Sequence, residues 1–337
     1  MLADLLDEMK SAPEVYRPSI FWEQLAAVGV QQLKESGFEN FKRTVNMKYF
    51  NWNVLGIIRH QLLPVLSQWL RHPDVEVFVA EFSDYRSGRS GVKTFNVVSA
   101  AIYKVYVAML WEYVAARDPL GLLQSLPEPT CGNPFLIRYK NQWVSQDVCN
   151  SVHEFYSAGG REGVNAREWN VAELGAGYGR LAYVFLNALP TSTYCIIDIP
   201  PALNIAQQYL TEVFPNEKIF CFRRFTRYED IKAEFESSRI RFLAAHQIEL
   251  LPPKPFDLFV NISSLHEMSY AQIENYLAQI NRVCRGRFYT KQWRVSRAAV
   301  NGFVIKESEY PIPSSWTTLY HRRHPIQRMF FEALYQV

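Results

Sequence analysis

Val171-Ala172-Glu173-Leu174-Gly175-Ala176-Gly177-Tyr178-Gly179-Arg180 is the stretch that decides the fold. An apolar run ends in an acid, three glycines alternate with other residues, and a helical pattern starts at Arg180. Glycine is required where backbone turns through positive φ, or where it must approach a ligand with no Cβ in the way. The segment therefore reads as a strand, a tight ligand-facing turn and the first turn of a helix.

The downstream residues repeat this texture. Strands are expected near 169–174, 193–198, 218–223, 256–262 and 287–292, with helices near 180–188, 202–213 and 270–283. Strands alternating with helices predict right-handed crossovers and a parallel sheet flanked by helices on both faces. In such a sheet, ligands bind beyond the carboxyl ends of the strands, at the point where strand order reverses.

Two ligand classes use such a turn, dinucleotides and S-adenosylmethionine. The dinucleotide pattern G-x-G-x-x-G requires its third glycine at position 180. Arg180 stands there, and the glycine falls one residue early, at Gly179. Glu173, two residues before the first glycine, suits a cationic ammonium or sulfonium better than a pyrophosphate. The next expected strand ends in Asp198-Ile199-Pro200, with Asp198 19 residues after Gly179. An acid at that tip can accept both hydroxyls of a ribose, and Ile199 can flank an adenine. That arrangement suits either nucleoside, so a nicotinamide-dependent oxidoreductase stands as the alternative from another class.

A second informative run is Phe256-Asp257-Leu258-Phe259-Val260-Asn261-Ile262-Ser263-Ser264-Leu265-His266-Glu267-Met268. Its apolar strand opens into polar groups at the carboxyl edge, where Asn261 is expected to line the methionine portion of the ligand. A hydroxyl is a poor nucleophile until its proton leaves, and a neutral imidazole such as His266 accepts that proton at cellular pH.

These segments carry a resemblance. Glu173-x-Gly175-x-Gly177-x-Gly179 resembles the first motif of the Rossmann-like, class I methyltransferases, and Asp198-Ile199-Pro200 resembles the D-L-P signature of small-molecule O-methyltransferases. His266-Glu267 looks like the His-Asp pair of plant-type O-methyltransferases, with Glu in place of Asp. Together with Phe41-Lys42-Arg43-Thr44-Val45-Asn46-Met47-Lys48-Tyr49-Phe50-Asn51-Trp52, Gly132-Asn133-Pro134 and Trp143-Val144-Ser145-Gln146-Asp147, the chain resembles the sugar O-methyltransferase family. The resemblance implies a seven-stranded α/β sheet and S-adenosylmethionine as cofactor, with S-adenosylhomocysteine as product. It also implies Glu173, Gly175, Ala176, Gly177, Asp198, Ile199 and Asn261 as cofactor-binding residues, His266 as base and Glu267 as its acid. The acceptor implied is a hydroxyl of a carbohydrate or other small molecule; a phenol or amine of a secondary metabolite is the neighbouring alternative.

Composition narrows the remaining classes. The 337 residues are 48% hydrophobic and 20% charged, which excludes disorder and allows two domains. A net charge of +3 is too small for a nucleic-acid footprint. Five scattered cysteines without a C-x-x-C pair predict neither disulfides nor zinc, and no clustered carboxylates mark a magnesium site. The opening MLADLLDEMK is acidic where a signal peptide is basic, so a cytoplasmic enzyme is expected. Residues 94–116 are long enough to span a bilayer, but Lys104 and Glu112 inside them predict a buried helix instead. The Pro-rich run DPLGLLQSLPEPTCGNP is expected to link a helical region, 1–130, to a methyltransferase domain, 131–337. The N-terminal region would serve as lid, substrate-binding or homodimer-forming helices.

Overall fold

Eight strands build the main sheet: β1 (Asn170–Leu174), β2 (Thr193–Asp198), β3 (Ile219–Phe220), β4 (Ile240–Ala244), β5 (Phe256–Ile262), β6 (Cys284–Trp293), β7 (Thr317–Arg323) and β8 (Phe330–Gln336). A computed structural model describes residues 2–18, 20–45, 54–82, 95–164, 168–296 and 304–337. Residues 46–52 of the family-like stretch lie outside the described residues. The strand order is β7-β8-β6-β5-β1-β2-β4-β3, parallel from β6 through β3, with β8 and β7 antiparallel. The expected Rossmann-like α/β architecture is present, with eight strands rather than seven; the two-residue β3 lies at one edge. The expected strand at 218–223 shrinks to that edge strand, because Phe222 leaves the ladder to donate its N–H to Gln207 Oε1 at 2.7 Å.

The chain leaves β1 toward one edge through β2, then returns to the other side of β1 through β5. The order therefore reverses between β1 and β5, where Leu174 stands opposite Asn261. β1, β2 and β5 are buried almost throughout, as strands covered on both faces must be. After the β5 turn, Ser269 caps helix Tyr270–Val283 by accepting the Gln272 N–H at 3.3 Å, and Gln272 Oε1 accepts the Ser269 N–H at 3.0 Å. This reciprocal cap fixes where the turn must end.

The chain divides into two compact units, residues 1–26 with 157–324 and 329–337, and residues 27–156 with 325–328. This partition differs from the expected boundary at 130/131. The N-terminal helix Leu2–Ser11 belongs with the sheet, and the Pro-rich run expected as a linker lies inside the other unit.

In that other unit the helix Val97–Ala115 is long and apolar enough to cross a bilayer by length and composition. Its Tyr106, Val107, Ala108, Leu110 and Val114 are buried, and Glu112 Oε1 meets Lys140 Nζ at 2.6 Å and the Tyr139 hydroxyl at 2.7 Å. It is thus a core helix, as its internal charges predict. Two family-like stretches meet here: Lys42 N–H donates to Gly132 O at 2.9 Å, Arg43 Nε to Asn133 O at 2.9 Å, and Asn133 Nδ2 to Asn40 Oδ1 at 2.9 Å. Lys42 Nζ also pairs with buried Glu128, 3.3 Å away, whose other oxygen accepts the Ser145 hydroxyl.

Candidate functional site

The turns at the carboxyl ends of β1, β2 and β5 build the site. Gly175, Gly177 and Gly179 all adopt positive φ, at 74°, 63° and 85°. At Gly175 a Cβ would lie 2.5 Å from Ser264 Oγ and 2.7 Å from Ser264 Cβ, so a side chain there would close the gap between the β1 and β5 turns. Gly179 caps helix Arg180–Ala188 in the left-handed conformation. The turn is anchored by the Gly175 N–H donating to Ile197 O at 2.9 Å.

Asp198 ends β2 directly beneath this turn. Its Oδ2 accepts the Gly177 N–H at 3.1 Å and its Oδ1 accepts the Ile199 N–H at 2.7 Å. Burial pushes its carboxyl up to about 7, against the N–H groups of Ile199, Gly177 and Ala176 that favour the charged form. The carboxylate is 6% exposed. Three backbone donors leave acceptor capacity on a group with about four lone-pair sites. The one remaining site fits a ribose hydroxyl, which donates.

Glu173 is also buried, and the Tyr194 hydroxyl donates to its Oε2 at 2.7 Å. The motif reading did not anticipate this tyrosine partner. Asn261, expected at the cofactor, is held by four protein partners. Its Nδ2 donates to Leu174 O at 2.9 Å and Ser264 Oγ at 2.6 Å, while its Oδ1 accepts from Gln292 Nε2 at 2.5 Å and Leu265 N–H at 3.4 Å. With both amide protons and both lone pairs engaged at 0% exposure, the Asn261 side chain braces the glycine turn against the β5 turn.

His266 sits in the short turn Leu265–Glu267, stacked on Trp293 at 5.3 Å between ring centroids, with Phe330 edge-on at 6.2 Å. Its Nδ1 lies 3.0 Å from Gln292 Oε1, and its Nε2 lies 3.6 Å from Glu267 Oε1. The His266 side chain is 2% exposed, whereas the Glu267 side chain is 21% exposed. The acid thus lies beside Nε2, just beyond hydrogen-bond distance. Tyr289, Thr290, Lys291 and Gln292 of β6 are buried, so that segment belongs to the core. The run His321-Arg322-Arg323 lies on exposed β7, where Arg322 Nε reaches buried Glu332 at 2.8 Å.

The sheet unit adds an N-terminal component at the same edge. Glu8 Oε2 pairs with Arg224 Nε at 2.6 Å and Glu8 Oε1 lies 3.1 Å from His246 Nε2; the Tyr16 hydroxyl donates to Glu249 at 2.7 Å. A cavity of about 480 Å³ is lined there by Glu8, Arg223, Arg224, Phe225, Thr226, Asp230 and Ile231.

No family model and no curated protein matches the chain. Among solved structures, it is similar to a SAM dependent methyltransferase from Aquifex aeolicus, at 11% identity over 54% of this chain and 89% of that one, with a TM-score of 0.35. It is also similar to the Burkholderia thailandensis 1,6-didemethyltoxoflavin-N1-methyltransferase, solved with 1,6-didemethyltoxoflavin and S-adenosylhomocysteine. That match has 16% identity over 57% and 78% of the two chains and a TM-score of 0.37. Superposition at this level carries no functional weight.

Proposed function

We propose that this chain is an S-adenosylmethionine-dependent O-methyltransferase, with His266 as general base and a hydroxyl of a sugar or glycosylated compound as acceptor. The observation that carries the reading is the meeting, at the reversal of strand order, of a positive-φ glycine turn, a buried carboxylate with spare acceptor capacity, and a histidine-bearing turn. The glycine turn and Asp198 would hold the nucleoside, with Ile199 beside its base. The bound cofactor supplies an electrophilic methyl group. His266 takes the proton of the acceptor hydroxyl, and Glu267 at 3.6 Å stabilises the imidazolium that results. The stacked Trp293 and edge-on Phe330 exclude bulk water from the ring. The carbohydrate acceptor rests on the resemblance of the quoted segments.

Calorimetry with S-adenosylmethionine, S-adenosylhomocysteine and NADH tests the cofactor. Binding of the first two and not the third is expected; the reverse overturns the reading. Incubation of sugar-nucleotide and glycan pools with labelled methyl donor then tests the acceptor. His266→Ala is expected to leave cofactor affinity unchanged and to lower turnover on the order of tenfold or more. Undiminished turnover in that variant removes the base assignment.

A further inference from the structure

We propose that Gln292 is the positioning residue of the site: it fixes the proton of neutral His266 on Nδ1, so that Nε2 carries the lone pair that accepts a proton. This inference rests on His266 being the base.

The orientation of the Gln292 amide follows from an obligate donor. The His266 backbone N–H can only donate, and it lies 3.2 Å from the Gln292 atom that also faces the imidazole, so that atom is Oε1. The amide nitrogen is then surrounded by acceptors, Asn261 Oδ1 at 2.5 Å, Thr290 Oγ1 at 2.9 Å and Asn261 O at 3.3 Å. Asn261 is oriented by the same logic, since Leu174 O can only accept and Leu265 N–H can only donate. With Oε1 facing Nδ1 at 3.0 Å, the ring nitrogen on that side must carry hydrogen. Every amide in the chain from Leu174 to His266 thus has one permitted orientation. Gln292 is 0% exposed, so water cannot substitute for it.

The arrangement also explains why the acidic neighbour is not the orienting group. An orienting acceptor must sit on the nitrogen that does not react, and Glu267 is beside Nε2. A neutral amide on Nδ1 fixes the tautomer without adding a second negative charge to the buried ring. The Ser296 hydroxyl, donating to His266 O at 2.8 Å, and the stacked Trp293 hold the ring plane in which this works.

The experiment is nitrogen-15 NMR of histidine-labelled protein, with the His266 resonances assigned by their loss in His266→Gln. Wild-type protein is expected to show neutral His266 protonated on Nδ1; protonation on Nε2 overturns the proposal without any variant. In Gln292→Met, of similar size but without the acceptor, the Nδ1-bound proton is expected to be lost or shared between nitrogens. The value of kcat should fall on the order of tenfold or more. Retention of the wild-type tautomer in Gln292→Met overturns the proposal. If His266→Ala proves fully active while the tautomer still responds to Gln292→Met, the base reading fails and the positioning role stands.

Discussion

Replacing Asp198 by asparagine measures what this buried carboxylate contributes at each pH. Burial raises its carboxyl from 3.8 to about 7, a shift of about three units, each worth about 1.4 kcal/mol. The folded value lies above the unfolded one, so the native state holds the proton more tightly. Its contribution to stability is fully present below about pH 4, and about 4 kcal/mol is lost as pH rises through about 7. Asp198→Asn cannot titrate and so loses none of this. The variant presents an NH₂ group toward one of the backbone donors that the carboxylate satisfies, which costs about 1–3 kcal/mol. The wild type should therefore be the more stable protein near pH 4.5, and the variant the more stable one near pH 8.5. Thermal unfolding of both proteins across that range is the assay, and taking the difference between them cancels every other titrating group. A difference that stays flat within about 1 kcal/mol refutes the reasoning. Ribose hydroxyls donate to the ionised form, so S-adenosylhomocysteine should bind wild-type protein more tightly at pH 8 than at pH 6, and bind the variant weakly at both.

Three other outcomes rest on particular contacts. Gly175→Ala places a Cβ 2.5 Å from Ser264 Oγ at a φ of 74°, and should weaken cofactor binding at least about tenfold by calorimetry. Tyr194→Phe strips Glu173 Oε2 of the hydroxyl at 2.7 Å and should destabilise the sheet unit by about 1–3 kcal/mol in denaturant unfolding. Glu8→Ala breaks the clasp to Arg224 and His246; hydrogen exchange over residues 2–18 should accelerate about fivefold, as loss of about 1 kcal/mol implies. Unchanged exchange there would show that the buried Leu5, Met9 and Tyr16 hold the segment alone.

The parts of the fold that local chemistry dictates were legible. The glycine turn, β1, β2 and β5 announce themselves because glycine adopts positive φ with the least strain and doubly covered strands are mostly apolar. β4 was not legible, because Arg241 interrupts its hydropathy. In the structure that guanidinium donates to Ser238 O at 2.9 Å and Glu236 O at 3.1 Å, and lies over the Phe235 ring. β7 was not legible because an exposed edge strand has no apolar face to signal it, and β8 conceals Glu332, satisfied by Tyr289 and Arg322. The protein partners of Asn261 were hidden for a related reason. A polar residue at a strand end looks the same in sequence whether it faces a ligand or backbone and side-chain partners. Gln292, 26 residues from His266, becomes visible only when β5 and β6 lie side by side.

The boundary between units shows the same limit at larger scale. Prolines at 119, 127, 129 and 134 limit the chain there to the short helix Leu122–Ser125, but they say nothing of what that chain packs against. Glu128, between two of them, is buried on Lys42 and Ser145, so the run is held inside a unit by a charge pair that breaking would leave uncompensated. Residues 2–18 obey the opposite logic. Their apolar positions look like any amphipathic helix, yet Tyr16 packs edge-on against Tyr276 at 5.5 Å and Gln272 Nε2 donates to Arg17 O at 2.8 Å, both within the sheet unit. A cut at residue 130 therefore divides both cores: the C-terminal piece loses the segment that carries Glu8 and Tyr16, and the N-terminal piece loses Ser145 and the strand Gln142–Val144.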